Sequence, residues 1–465
     1  MKKQYWRSFG VFLLAVFVVV SSAGIASAAG FAVSEKSVKG LGSAFAGGAA
    51  SAEDASTVYY NPAGMTRLSG IQVDAGLSAI AYSFEATDKG SPTVLTPLLS
   101  VNLSGGNGGD GGMTKAIPGL FYTQSINDNL TAGIGITAPF GLGTEYEAGW
   151  VGRYHTIKSD VMTIDINPSI AYRINDQVSI GLGISAQYLD AELGNAIDIG
   201  TIVNAHPQLN AFAAPLGILP QNADGNVVLT ADDWSYGFNV GILFELSDKS
   251  RLGFSYRSKT AFEVAGDAVF ETPASANVPL AALGNATLAQ TLGMTNTTGT
   301  AKIDMPGALS ASVYHELDNG LALMADLTWM NWSVLEELRV KFGNGADDNV
   351  TTFSWDDTWR MAVGAAKAIN DQLTIRCGLA YDPTPIPNPN VRTPRVPDAD
   401  RTWFSLGGSY KMSEKMGLDF GYTYIMSSST TIEKTPTGED MFRGGLQMDI
   451  EGSSHIFGAA LSMAF

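Results

Sequence analysis

The sequence predicts an all-β protein: a transmembrane antiparallel β-barrel of about fourteen strands, with an N-terminal hatch inside its lumen. Three observations predict this fold. Apolar and polar residues alternate with period two over segments approaching the ~10 residues that a tilted membrane strand needs. Tight turns such as Asn175-Asp176-Gln177 alternate with long connections such as residues 194–233. Aromatic residues collect at segment ends, where a membrane barrel carries its interfacial girdles.

Composition narrows the class of protein further. The chain has 465 residues and a formal net charge of −17, which argues against nucleic acid or an anionic membrane surface as partner. No run of ~18 apolar residues follows residue 28, so helical membrane spans are not expected. The single Cys377 and four scattered histidines have no disulfide, metal-ligand or catalytic spacing. We therefore expect no metal, no cofactor and no enzymatic activity.

Residues 1–28 have the layout of a signal peptide. A basic start at Lys2-Lys3 precedes the apolar run Val11–Val20, and Ala26-Ser27-Ala28 is an A-x-A cleavage site. The apolar run is too short to span a bilayer. We expect cleavage after Ala28 and export to the bacterial outer membrane, where a β-barrel is the spanning structure.

Residues 29–70 differ from the rest of the mature chain. They are rich in small residues and lack the period-two pattern, which begins near Ile71 and continues to Phe465. A barrel of this size leaves a wide interior. We therefore expect residues 29–70 to form a hatch that fills the lumen of a barrel made by residues 71–465. Asn61-Pro62 suits a fixed turn where the hatch meets the first strand.

Ordered motifs run through the whole mature chain. They are Gly40-Leu41-Gly42, Asn61-Pro62-Ala63, Phe140–Tyr146, Gly152-Arg153-Tyr154, Asn331-Trp332-Ser333, Trp359-Arg360-Met361 and Pro397–Trp403. In this order they resemble FadL-type outer-membrane long-chain fatty acid transporters. The resemblance implies a fourteen-stranded barrel with a hatch that contains Asn61, Pro62 and Ala63. It also implies passive transport, with capture by outer loops, an internal pocket, and sideways release through a gap at a kinked strand.

The partners expected are a hydrophobic small molecule and outer-membrane lipid. A fatty acid tail gains ~0.8 kcal/mol for each buried CH₂, so the tail dominates affinity. A buried, unpaired carboxylate costs several kcal/mol, so a cation is expected in the pocket. We also expect the terminal Phe465 to be recognised by the barrel-assembly machinery, and the protein to be a monomer.

The strand region Leu321–Phe342 supplies the candidate cations. Its apolar residues stand at odd-numbered positions at the start and at even-numbered positions by Val340 and Phe342. This change predicts a bulge near Asn331-Trp332-Ser333, which places Arg339 and Lys341 on the lumen side. The resemblance implies a basic ligand-binding residue at Arg339, and Lys341 is the second candidate. A lumen ion pair between Arg339 and Glu336 or Glu337 is the alternative.

Three further segments are candidates for handling the ligand. The loop Ala196–Leu219 is unusually apolar and carries Phe212 and Leu216, so it either captures ligand or forms a helical lid on its own core. Phe31 either reaches the pocket or anchors the chain on the solvent side. Pro139, Gly141 and Gly143 follow the strand Leu130–Ala138 and predict a kinked, locally unpaired wall that serves as lateral exit; an ordinary strand end is the competing interpretation.

The sequence leaves several functions open. Uptake of long-chain fatty acids is the first. Asp190 and Glu192 stand where the resemblance implies a second basic residue, which leaves room for uptake of neutral aromatic or alkane hydrocarbons. A general diffusion porin is a third possibility. A lipid enzyme is disfavoured because the sequence shows no Ser/His pairing.

Overall fold

The computed structural model describes residues 30–96 and 99–465, so the predicted signal peptide lies outside the described residues. The strand segments, numbered in chain order, are β1 (Ile71–Asp88), β2 (Pro92–Thr96), β3 (Leu99–Asn102), β4 (Thr114–Asn127), β5 (Leu130–Thr137), β6 (Gly141–Glu145), β7 (Lys158–Asn175), β8 (Val178–Asp198), β9 (Asp224–Ser247), β10 (Ser250–Arg257), β11 (Thr260–Glu271), β12 (Thr297–Met305), β13 (Ala308–Glu316), β14 (Leu321–Met330), β15 (Glu337–Phe342), β16 (Asn349–Thr352), β17 (Thr358–Ala368), β18 (Leu373–Asp382), β19 (Arg401–Ser413), β20 (Met416–Ser427), β21 (Thr430–Lys434) and β22 (Leu446–Ala464).

All these segments except the hairpin β2–β3 form one closed antiparallel sheet. Several crossings consist of two consecutive segments, so the barrel has 14 strands, as the sequence predicts. The helices are short: α-helices span Val38–Leu41, Thr57–Tyr60, Ile199–Ala205, Asn210–Ala213 and Leu288–Thr291, and 3₁₀ turns span Pro62–Arg67, Ala274–Asn277, Ala281–Leu283, Trp332–Val334 and Gly438–Asp440. In the described part of the chain, no helix has the length and hydropathy to cross a membrane.

The barrel closes by pairing its last strand with its first. β22 pairs with β1 from Gln72↔Ala464 to Asp88↔Met448. The terminal Phe465 N–H donates to the Ile71 carbonyl at 2.9 Å, and the Ile71 N–H donates back at 3.2 Å. Closure removes the free edges that an open sheet would present. Recognition of Phe465 by assembly machinery and the monomeric state stay predictions.

The outer surface carries an apolar band because alternate residues face lipid. On β8, Ile180, Leu182 and Ile184 are exposed, whereas Ser179 and Ser185 are buried. The same alternation recurs on neighbouring strands, so a continuous belt of apolar side chains surrounds the barrel. Such a belt is the surface that a bilayer requires.

Residues 30–68 lie against the inner face of this wall. Arginine side chains of the barrel reach across the lumen to them and donate hydrogen bonds, mainly to backbone carbonyls: Arg173 to Thr66, Arg251 to Ala50 and Ser51, Arg257 to Tyr59, Arg360 to Ala44, and Arg376 to the Glu53 carboxylate. Charge-assisted bonds of this kind are stronger than neutral ones. The segment is therefore attached to the barrel at many points; the division of the chain at residue 70 stays a prediction.

Asn61 ties the end of this segment to the wall. Its buried side-chain amide donates to the carbonyls of Ala49 at 2.7 Å and Ile242 at 3.1 Å, and its Oδ1 accepts from the Ala63 N–H at 3.1 Å. Pro62 then begins a 3₁₀ turn. Gly241 of β9 makes this approach possible, because a Cβ there would overlap the Asn61 side chain.

We expect Gly241→Val to displace the segment from the wall, because the added side chain occupies the position of the Asn61 amide. The loss of the Asn61 bonds costs roughly 2–3 kcal/mol. Single-channel recording in planar bilayers should show a steady conductance that the wild type lacks. Gly417→Val is the matched control, since a Cβ there meets only the Tyr410 carbonyl at 3.7 Å. Equal conductance of the two variants would contradict a lumen-filling role for residues 30–68.

Candidate functional site: an apolar cavity between gaps in the wall

An apolar cavity lies in the half of the barrel nearest the long loops. It holds about 860 Å³ of empty space, counting the part open to solvent. Its walls come from β8, β9, β11, β12 and the region of β15, and they include Leu189, Ala191, Leu193, Leu229, Val264, Ala301, Ile303, Leu335, Leu338, Val340 and Phe353. Such a lining selects for apolar ligands.

Phe31 closes one side of the cavity. The side chain is 7% exposed and packs edge-on against Trp332, with ring centroids 5.1 Å apart. Trp355 and Phe140 lie 5.8 Å and 6.1 Å from it. The structure thus places Phe31 in the cavity wall, and its burial is incompatible with a solvent-side anchor.

The wall has a gap beside Phe31. β5 and β6 both pair with β7, at Thr137↔Asp165 and Gly141↔Met162, so the strand continues on that side. On the other side, the ladder between β4 and β5 ends at Gly119↔Thr137. In the described part of the barrel, residues 114–118 of β4 have no ladder partner in residues 138–142. Pro139 lacks an N–H and interrupts the strand there.

The N-terminal segment lines this gap from the inside. The Val33 N–H donates to the Pro139 carbonyl at 2.9 Å, and the Gly141 N–H donates to the Phe31 carbonyl at 3.0 Å. Ala32 forms an isolated antiparallel bridge with Phe140. The backbone that carries Phe31 is therefore paired with the kink. A displacement of Phe31 from the cavity wall would disturb the hydrogen bonds at the gap.

Arg395 is a basic residue of the cavity lining. The side chain belongs to the loop between β18 and β19, is 7% exposed and contributes to the cavity lining. Its guanidinium donates to Ser159 Oγ at 3.1 Å, Thr156 Oγ1 at 3.4 Å and Asn195 Oδ1 at 3.0 Å, all of them neutral acceptors.

Burial, together with the nearby charge of Arg443, lowers the pKa of the Arg395 guanidinium to about 9. Among the described residues, no carboxylate counteracts this shift. Arg395 is therefore charged at neutral pH and is stabilised, within the described part of the chain, by neutral hydrogen-bond acceptors alone, and a ligand carboxylate would supply an anionic partner. Sequence reasoning missed Arg395 because its loop has no strand pattern that assigns the side chain to the lumen.

Arg339 and Lys341 do not face the cavity, which corrects the expectation that they lie on the lumen side. Leu338 and Val340 line the cavity, so the alternating basic residues point to the opposite, outer face of β15. Arg339 is paired there with Glu337 at 2.7 Å and with Asp348 at 3.2 Å. The prediction from the sequence assumed that the apolar face of the strand points to lipid. Beyond the membrane that relation is reversed, because the apolar face lines the cavity and the polar face meets water.

Phe212 and Leu216 also stand apart from the cavity lining. Both are half-buried against an apolar cluster formed by the helices Ile199–Ala205, Asn210–Ala213 and Leu288–Thr291. The cluster has buried members such as Leu209 and Leu288. The loop Ala196–Leu219 thus packs as a helical cover on a core that it shares with the connection between β11 and β12, which resembles the lid alternative more than an exposed capture loop.

Comparisons with known proteins agree with this architecture. The family model described as outer membrane protein transport protein (OMPP1/FadL/TodX) matches residues 19–465. The long-chain fatty acid transport protein of Escherichia coli is 30% identical over 442 residues, with 94% of each chain covered. A Pseudomonas aeruginosa FadL homologue has a TM-score of 0.83 at 23% identity, covering 94% of this chain and 100% of that one. The toluene transporter TodX of P. putida has a TM-score of 0.65 at 16% identity, covering 88% and 94%; these two structures show a shared fold.

We expect Phe31→Ala to weaken the binding of apolar ligands and to loosen the N-terminal segment, because three aromatic contacts are lost. Truncating a buried Phe costs about 3–5 kcal/mol. The emission of Trp332 and Trp355 should shift to longer wavelength as water reaches the cluster, and fluorescence titration reports both effects. Phe457→Ala, on the lipid-facing surface, should change neither; an unshifted Phe31→Ala spectrum with wild-type affinity would remove Phe31 from the site.

Proposed function

The chain belongs to the OMPP1/FadL/TodX family of outer membrane transport proteins, and from this premise we propose that it carries long-chain fatty acids passively across the outer membrane. Members of the family transport hydrophobic compounds. The single observation that favours fatty acids is Arg395: a buried cation without an acidic partner among the described residues, at an otherwise apolar cavity.

The chemistry of the cavity fits an amphiphile with one carboxylate. Aliphatic side chains receive the tail, and tail burial contributes ~0.8 kcal/mol for each CH₂ before ordering costs. The carboxylate would accept charge-assisted hydrogen bonds from the Arg395 guanidinium, which fixes the orientation of the ligand. The name of the Escherichia coli relative supports the same substrate class.

Release follows sideways through the gap between β4 and β6. Phe31 lines the cavity and its backbone is paired with the kink at Pro139–Gly141. A ligand that displaces Phe31 separates residues 31–33 from the kink and opens the gap toward the bilayer. Two backbone hydrogen bonds, which together form the bridge Ala32↔Phe140, and the ring contact between Phe31 and Phe140 hold these described residues to the kink. Burial of the tail offsets the loss of these contacts. No energy source is required.

Uptake of neutral aromatic hydrocarbons is the second candidate. The structurally similar TodX is named a toluene transporter, and the cavity lining is apolar throughout except near Arg395, Asp267 and a few threonines. The same cavity and gap would serve such ligands. Arg395 separates the two candidates, because a neutral hydrocarbon gains nothing from a cation.

We expect Arg395→Gln to weaken the binding of a long-chain fatty acid by about tenfold or more, since hydrogen bonds to charged groups contribute about 1.5–3 kcal/mol. The methyl ester of the same acid should bind both forms equally. Isothermal titration with the purified protein measures both ligands. Arg339→Gln is the control and should retain wild-type affinity, because Arg339 faces away from the cavity. Equal loss for acid and ester would remove Arg395 from carboxylate recognition.

We expect the double variant Pro139→Thr/Gly141→Val to retain ligand binding but to lose most ligand uptake, because a strand with its N–H restored closes the gap to β4. A side chain at Gly141 has room, since its Cβ would lie 3.4 Å from Val33. Cellular uptake of labelled oleate is the measurement. Pro168→Thr, at a position of β7 that pairs with Ile134 of β5, serves as control. Unchanged uptake by the double variant would rule out this exit.

A further inference from the structure

The wall has a second interruption on another side of the cavity. β12 and β15 pair only at Gly299↔Phe342 and Thr300↔Lys341. Pairing resumes where the Asn331 N–H donates to the Gly307 carbonyl at 3.0 Å and β13 pairs with β14 from Ala308↔Met330. Between these points the described residues show no ladder pair joining residues 301–306 to residues 332–340. We name this interruption the seam.

Local sequence explains the seam. Pro306 removes one N–H donor from the β12 side. On the other side the chain leaves the wall in the 3₁₀ turn Trp332–Val334. When it returns as β15 it pairs with β16, from Glu337↔Thr352 to Val340↔Asn349. Residues 337–340 of β15 thus have a ladder partner in β16, whereas β15 pairs with β12 only at Lys341 and Phe342.

The seam separates the apolar cavity from an outer groove. Val264, Thr300 and Ala301 line both spaces, so the wall between them is one side chain thick. The inner lips of the seam are apolar, with Ile303 facing Leu338. The outer groove is charged and carries three basic side chains, Lys302, Arg339 and Lys341, and two acidic ones, Glu263 and Glu337.

The groove lies just beyond the membrane boundary. On β9 the exposed aromatic side chains Trp234 and Tyr236 mark the interface. β11 pairs with β9 only from Ala265↔Asp232 outward, and the Glu263 N–H donates to the Asp233 carboxylate at 2.8 Å. Glu263 is therefore level with Asp233, adjacent to the aromatic boundary, where the head groups of the outer leaflet begin.

From these observations we infer that the seam is a side entrance through which a carboxylate-bearing amphiphile passes from the surface of the outer leaflet into the cavity. The inference rests on the proposed function and names the route that supplies the cavity. In the groove, Lys302 is paired with Glu263, and Arg339 is paired with Glu337 and Asp348, so among the described groove residues Lys341 is the cation outside an ion pair. Lys341 attracts the carboxylate, and the tail inserts between the apolar lips. The strands can part at the seam without breaking ladder hydrogen bonds, because none joins the described residues there.

This entrance gives the cavity two sides that open to the membrane. Ala301, Ile303 and Leu338 lie toward the seam, whereas Phe31 and Leu142 lie toward the gap at the kink. A ligand then crosses the barrel from one opening to the other. Arg339 and Lys341 belong to the first contact with the ligand and not to the final site.

A reversible cross-link across the seam tests the entrance. Extending the register from Thr300↔Lys341 places Lys302 opposite Arg339 on the outer face. Lys302→Cys/Arg339→Cys, in a Cys377→Ser background, would be joined by a short cleavable bifunctional maleimide. Val228→Cys/Val269→Cys is the matched control, because these two exposed residues are direct partners in the intact ladder between β9 and β11 and lie outside the groove. Each protein is compared with itself before and after cleavage, so the lost charges cancel.

The readouts are stopped-flow association of oleate with protein in lipid nanodiscs and equilibrium oleate affinity. The seam cross-link should lower the association rate at least tenfold, with recovery on cleavage, and leave the affinity within twofold. The control cross-link should change neither quantity. An unchanged rate in fully cross-linked protein would overturn the entrance while leaving the fatty acid function intact. Absence of oleate binding to the uncross-linked protein would overturn the proposed function, and the carboxylate entrance with it.

Discussion

The structure depends on the requirement that backbone hydrogen bonds be satisfied in a solvent that offers none. For β-strands in the hydrocarbon layer only a closed ladder meets this requirement, and pairing of β22 with β1 provides it. Each interruption of the ladder therefore needs a local reason. The interruptions at Pro139 and at the turn Trp332–Val334 border one apolar cavity. The barrel is regular where it only has to be a wall, and irregular around the cavity.

The N-terminal segment is held in the lumen by different kinds of contact along its length. From Ala44 to Thr66 it is held by charged donors of the wall, and at Asn61 by a buried amide. At Phe31–Val33 it is held by two neutral backbone hydrogen bonds and aromatic packing. Local opening begins where stabilising contacts are fewest. We therefore expect local opening to begin at the few residues that touch both the cavity and the gap.

The sequence predicted the 14-stranded barrel because the period-two pattern, the alternation of loop lengths and the aromatic girdles all reflect the bilayer. It failed where the bilayer no longer governs the pattern. At Arg339 and Lys341 the strand extends beyond the lipid, and its apolar face points inward to the cavity. The assumption that the apolar face meets lipid therefore placed these two residues on the lumen side, whereas they lie on the outer face. Arg395 was beyond the reach of any periodicity, because only the tertiary position of its loop brings it to the cavity. Loop Ala196–Leu219 was recognised as unusual, but its apolar residues pack on one another.

The barrel arginines recognise the N-terminal segment chiefly through its carbonyl oxygens, a group that every residue carries. Side chains at Ala44, Ala50 and Tyr59 can therefore change without removing the acceptors that hold them. The positions of the barrel arginines match the number of residues between successive carbonyl acceptors. An insertion or deletion of one residue would move every later carbonyl out of step with its guanidinium. The length of the segment is thus a constraint of its own, in addition to the close packing of buried residues such as Ala44 and Ala50.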